Sequence, residues 1–233
     1  MSNDRCNGCH GVLGVPMGTE ETGIHKGVRN NAEGCANCHN ANQASGYTFM
    51  TDGSQAPDGT FLSESYQAKR FIHGIHGGSM RTYPFTHCNN EVTGEIGKDG
   101  LRLSDGAPLT CTNAPGETDN FTAEVAYPGQ LGVCNNCHVK DSWKQDRSVL
   151  GSVVYKPAGV TTMLDWFVIS PKAATCTSCH DSKSVQTHVK TVGASFGSAT
   201  QDQLLNKGVV FESCEGCHAS GTAIGVDSVH VPK

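Results

Sequence analysis

The chain has 233 residues, 36% hydrophobic and 6% aromatic side chains, and a formal charge of −5. That is little apolar material for a domain building its interior from side chains alone. No stretch approaches the roughly 18 apolar residues of a membrane span, so no transmembrane segment is expected, and the acidic balance argues against nucleic acid or an anionic membrane surface as partner.

Taken in chain order, residues 1–46 open with CNGCH (6–10) and CANCH (35–39), with His25 between them. TFMTDGSQAPDGT then carries turn chemistry at Asp52-Gly53 and Asp58-Gly59. SESYQAKRFIHGIHGG predicts a short helix starting near Ser63 or Ser65 and ending at Gly77-Gly78. His73 and His76, three apart, share one face of it. The stretch 88–130 has no such motif, and its KDG and SDG turns and TAEVAY segment predict a small hairpin insertion. Residues 131–233 hold three further copies, CNNCH (134–138), CTSCH (176–180) and CEGCH (214–218). Short helices are expected after several of the motifs, although the periodicity there is weak.

Ten of the twelve cysteines thus fall into five copies of C-x-x-C-H, the pattern of covalent c-type haem attachment. Two thiols add across the vinyl groups of a haem, and the adjoining histidine swings under the ring as proximal iron ligand. The cofactor-binding cysteines are Cys6 and Cys9, Cys35 and Cys38, Cys134 and Cys137, Cys176 and Cys179, Cys214 and Cys217. Their proximal histidines are His10, His39, His138, His180 and His218. Zinc is the competing reading, but zinc sites pair such elements and five is odd. Five adjacent histidines by chance would be on the order of one in a few million. A disulfide ladder gives the histidines no role. Five haem c groups also explain the composition, because flat porphyrins then supply the missing core, and the apoprotein is expected to be largely unfolded.

Six histidines remain: His25, His73, His76, His87, His188 and His230. Five irons closed on both faces need five distal ligands. His25, His73, His76, His188 and His230 are the candidates, and His87, directly before Cys88, is the spare. Methionine also ligates c-type haem, but the histidine count makes it unnecessary. Bis-histidine iron has no open position for substrate, which suits electron transfer. Cys88 and Cys111 are expected to form a disulfide, since haem attachment occurs outside the cytoplasm where disulfides persist. Closing that loop would stabilise by roughly 3 kcal/mol in the chain-entropy picture. Two buried free thiols are the alternative. The expected fold is mainly irregular and α, short helices and loops wrapped around five covalently bound haems, with a disulfide-clasped hairpin insertion at 88–130 in a single pentahaem domain over 1–233.

Together these segments resemble the outer-membrane multihaem cytochromes of metal-reducing bacteria, the OmcA/MtrC type. CNGCH followed by His25 and CANCHN is similar to the family's opening haem pair, and KRFIHGIHGGSMRTYPFTH to its segment of paired distal histidines. SPKAATCTSCHDS with His188, and ESCEGCHASG ending in VDSVH, are similar to its closing segments. Family members usually carry ten haems in two pentahaem domains, each paired with a β-barrel domain. The chain looks like one pentahaem domain, with SPKAATC and VHVPK similar to the C-terminal half. The resemblance implies electron transfer at the cell surface to metal oxides, soluble metals or flavins, with redox proteins or other haem domains as partners. Covalent haem attachment demands export to the cell surface, outer membrane or periplasm. Cys6 leaves no room for a leader, so a mature form or an excised fragment is expected.

Two other functions fit a multihaem chain. A nitrite- or hydroxylamine-type reductase would leave one haem open to substrate, often marked by CxxCK, whereas all five motifs here end in His. A subunit of a haem filament would stack end to end through exposed terminal haems. Outer-sphere reduction at a haem edge needs no acid–base residue, so no catalytic residue is nominated.

Overall fold

The computed structural model describes residues 2–11, 13, 29–42, 64–83, 85–89, 95–97, 100–102, 117–144, 148–155 and 160–230. His25, Cys111 and the side chains of His87 and Cys88 lie outside the described residues, and with them the expected disulfide. The helices are α1 (Asn3–His10), α2 (Cys35–Cys38), α3 (Ala68–His76), α4 (Phe121–Glu124), α5 (Pro171–Cys176), α6 (Lys183–Thr191), α7 (Gln201–Leu205), α8 (Glu215–His218) and α9 (Val226–Val229). The strands are β1 (Thr86–Asn89), β2 (Glu95–Gly97), β3 (Gly100–Arg102), β4 (Glu117–Asn120), β5 (Ser152–Tyr155), β6 (Phe167–Ile169) and β7 (Phe196–Thr200). The chain divides into two compact units, one of Met1–Cys38, Gln130–Arg147 and Cys217–Lys233, the other of His39–Gly129 and Ser148–Gly216.

The second unit contains an antiparallel sheet in the order β5-β6-β7. The expected short helices and loops are present, and this small three-stranded sheet is added to them. Val153 pairs with Val168, and Ser152 with Ile169. Successive strand residues point to opposite faces, so Val153 and Val168 pack on one side with Trp166 and Leu204. Val154 and Ile169 pack on the other, against Ala173 and Ala174 of α5, Val189 of α6, and Phe196. β7 runs directly into α7 through a reciprocal cap in which Thr200 Oγ1 accepts from Gln203 N and Gln203 Oε1 accepts from Thr200 N, at 3.3 and 2.9 Å.

α5 follows the N-cap residue Ser170 and has Pro171 in its first turn, where a missing N–H costs nothing. Glu212, distant in sequence, supplies the cap. Its carboxylate accepts from Lys172 N (2.9 Å), Ala173 N (2.8 Å) and Ser170 Oγ (2.7 Å), and negative charge is favourable at that helix end.

Within the 88–130 insertion β2 pairs antiparallel with β3, with Gly97 opposite Gly100. A second pair joins β1 to β4, with Cys88 opposite Thr118. TAEVAY is not a strand: its first residues lie in α4, and the rest is coil. The histidine helix starts later than expected, at Ala68. Upstream, Ser65 Oγ accepts from Gln67 N at 3.2 Å and Glu64 is committed to two arginines, which holds 64–67 extended. Among the described residues no helix is long and apolar enough to cross a membrane.

Candidate functional site

In the first unit, α1 carries Cys6, Cys9 and His10. Asn3 and Asn7, one turn apart on that helix, accept from Ala32 N (2.6 Å) and Leu13 N (2.7 Å), tying following chain to it. Cys35 and Cys38 bound α2, and Cys134 opens a tight turn that brings His138 N onto Cys134 O at 2.9 Å. Burial, then the neighbouring thiols of Cys137 and Cys35, push the Cys6 thiol up. Burial also raises Cys134 and lowers His138. The loop after the fifth motif is drawn together by Asp227, which accepts from Ser220 Oγ and, at 3.2 Å, from Gly221 N. His218 Nδ1 donates to Ile224 O at 2.9 Å, and His230 Nδ1 to Val226 O at 3.0 Å. The His230 carbonyl lies against Gly132, two residues before Cys134.

In the second unit, His39 stacks on Phe71 of α3, 4.9 Å apart and 7° from parallel, and its Nδ1 donates to Tyr66 O at 3.0 Å. On α3, His73 Nδ1 donates to Lys69 O (2.6 Å) and His76 Nδ1 to Ile72 O (2.8 Å). Tyr127 meets the His76 ring edge-on at 5.8 Å. The fourth motif follows from α5 into a turn in which His180 N bonds Cys176 O at 2.9 Å. Cys179 Sγ lies 3.6 Å from His73 O, and Gly77 permits this approach because a Cβ there would collide with that sulfur. Burial pushes the Cys179 thiol up, and burial with nearby Glu212 does the same for Cys214. His180 is exposed, as is His188, which stands on the outer face of α6.

Five of the histidines share one electronic arrangement. A carbonyl oxygen can only accept, so the Nδ1 of His39, His73, His76, His218 and His230 must carry the proton. The lone pair then resides on Nε2, the nitrogen a metal takes when Nδ1–H is held by a backbone carbonyl. Among the described residues no three His, Cys, Asp or Glu side chains converge as a metal cage. The donors are therefore arranged as paired thiols and single imidazoles. Thr175 Oγ1, one residue before Cys176, is buried without a hydrogen-bond partner. This donor set fits a covalently attached porphyrin, whose four nitrogens supply the ligands that the protein does not.

Residues 1–231 match the family model for outer membrane cytochrome MtrC/MtrF-like, domains II/IV. The chain belongs to this family. No match was found among curated proteins. An MtrC/MtrF-like cytochrome carries covalent c-type haem iron and serves extracellular electron transfer from an outer-membrane location, which agrees with the resemblance read from the motifs.

One cluster has no counterpart in the sequence reading. Arg70 Nε and Nη2 grip both oxygens of Glu64 at 2.6 and 2.9 Å. Arg81 Nη2 reaches Glu64 Oε1 at 2.9 Å and Asp181 Oδ2 at 3.2 Å. Asp181 also accepts from Thr82 N (2.6 Å) and Tyr83 N (3.0 Å). Burial lowers the Arg81 pKa, and Glu64 works against that. The only signal in the sequence was Arg70 itself, a charge four residues before Gly74 on the face that α3 buries.

Proposed function

We propose that the chain is a single pentahaem electron-transfer domain over 1–233, with 88–130 as its haem-free insertion. Haem c is attached at Cys6/Cys9, Cys35/Cys38, Cys134/Cys137, Cys176/Cys179 and Cys214/Cys217. His10, His39, His138, His180 and His218 would hold the irons as proximal ligands, with His25, His73, His76, His188 and His230 as the second set of ligands. The observation that carries this reading is the shared tautomer: in every case with a described Nδ1–carbonyl bond, proximal or distal, Nε2 is the nitrogen left to ligate. When bound, each haem supplies an iron that changes oxidation state by one electron. The imidazoles would bind that iron and leave it no substrate position, which suits electron transfer.

Electrons would leave at exposed haem edges to metal oxides, soluble metals or flavins, and arrive from redox proteins or other haem domains at the cell surface. The match to domains II/IV supports a domain that works beside others in a longer cytochrome, and the likeness of SPKAATC and VHVPK favours the C-terminal half. The Cys88–Cys111 disulfide belongs to the same reading. Non-reducing peptide mapping should recover those two cysteines in one linked peptide pair, and two alkylatable thiols would refute it.

Adding carbon monoxide to the dithionite-reduced holoprotein is expected to leave the Soret band unchanged, because every iron is closed by two imidazoles. A shift equivalent to one haem would mean an open site, and would move the function toward a reductase.

A further inference from the structure

Arg70 and Arg81 ligate nothing, yet Arg70 is fully buried and the Arg81 side chain is 2% exposed. A buried ion network is a poor source of stability, since apolar groups of similar volume often do as well or better. What distinguishes this one is where its donors go. Arg70 Nη1 donates to Thr177 Oγ1 at 2.9 Å and Ala174 O at 3.4 Å. Arg81 Nη1 donates to Ser178 O at 2.6 Å and Thr177 O at 3.3 Å. Thr177 and Ser178 are the two intervening residues of the fourth Cys-x-x-Cys motif. The other side of each guanidinium grips Glu64, so two arginines fasten one carboxylate and one motif turn together. Arg70 lies on α3 itself, the helix that carries His73 and His76.

We infer that Arg70, Arg81 and Glu64 are positioning residues that hold the paired-histidine helix against the Cys176–His180 turn, and that their fixed charges set the reduction potential of the haem attached there. The inference rests on the pentahaem reading above. The charges lie in a region closed to water, where salt screens them little. A nearby cation disfavours the ferric state and a nearby anion favours it. Loss of the Arg81 charge therefore lowers the potential of that haem, and loss of the Glu64 charge raises it.

The test is an optical redox titration of the purified holoprotein with Arg81→Met, Arg81→Lys and Glu64→Gln, after mass spectrometry has counted the attached haems. The expected result is a downward shift confined to one of the five transitions in Arg81→Met and an upward shift of the same transition in Glu64→Gln. Arg81→Lys, which keeps the charge but not the forked donors, should titrate close to the parent protein. A purely structural role would not reverse sign between the two variants. Equal-sign shifts, or none, with the full haem count would overturn the inference while leaving the pentahaem reading intact. Should Arg81→Met fail to assemble, the near-isosteric Glu64→Gln decides alone: an upward shift supports the inference, and no shift or a downward one overturns it. A parent protein without haem on Cys176 and Cys179 would overturn the pentahaem reading, and this inference with it.

Discussion

Expressed where no haem is attached, the chain is expected to leave the unit of Met1–Cys38, Gln130–Arg147 and Cys217–Lys233 without stable structure. Its described buried hydrophobic residues are Leu13 and Ala32, whereas the sheet unit buries Val153, Val154, Val168, Ile169, Phe85 and Phe196 among others. None of α1, α2 and α9 has a buried residue. Helices of four to eight residues do not persist in water on propensity alone. Their local opening free energy in the apo form should therefore be close to zero. Hydrogen exchange followed by mass spectrometry should show amides of α1 and α2 exchanging at random-coil rates in the apoprotein and protected in the holoprotein. The amides of β5–β7 should stay slower than both helices in the apo form, because their two hydrophobic clusters need no cofactor. Apo α1 and α2 amides as slow as in the holoprotein would sink the view that haem is the core of this unit.

Gly74→Ala is the second large effect. Gly74 lies between His73 and His76 on the buried face of α3. A Cβ there would overlap Cε2 and Cδ2 of Phe85 and lie 2.8 Å from its Cζ. Alanine would normally improve a helix interior by about 0.5–1 kcal/mol. The Phe85 ring is wholly buried, with Phe121 and the Arg81 guanidinium against it, and overpacking of that kind costs about 1–3 kcal/mol or more. The clash wins. The holoprotein should melt several degrees lower, at about 2–4 °C per kcal/mol for a chain of this size. Because the displaced helix carries both imidazoles, the proposed ligation implies that reduced Gly74→Ala binds carbon monoxide and that the parent protein does not. Phe85→Leu in the same background should restore both properties in part, and an unchanged melting temperature and spectrum in Gly74→Ala would contradict the packing account.

The c-type motifs were legible because the attachment chemistry is local: two thiols and an imidazole within five residues. The histidine helix was legible in its end, at Gly77, and less so in its start. Ser65 looks like a cap, but its hydroxyl is used in a turn before the helix begins. The antiparallel β2–β3 pair falls beside KDG, which the sequence offered as turn chemistry. The three-stranded sheet was not legible, since SVVY, FVI and FGSAT are short and bury both faces of the central strand. A strand covered on both sides loses the apolar–polar alternation that announces it. Nor could the Glu64–Arg70–Arg81–Asp181 cluster be foreseen. Its members are six, eleven and one hundred residues apart in order, a spacing no helix or strand period relates, and only the tertiary fold brings them together.

The acceptor for His73 Nδ1 is the carbonyl of Lys69, for His76 that of Ile72, and for His230 that of Val226. In each, the partner lies four residues earlier in the same short helical stretch, so one turn of backbone orients the ring without help from a second segment. Such a turn is a self-contained cassette. Relocated to another exposed helix, it should present Nε2 outward with the same aim, which gives designers of artificial electron conduits a ligand whose orientation travels with it.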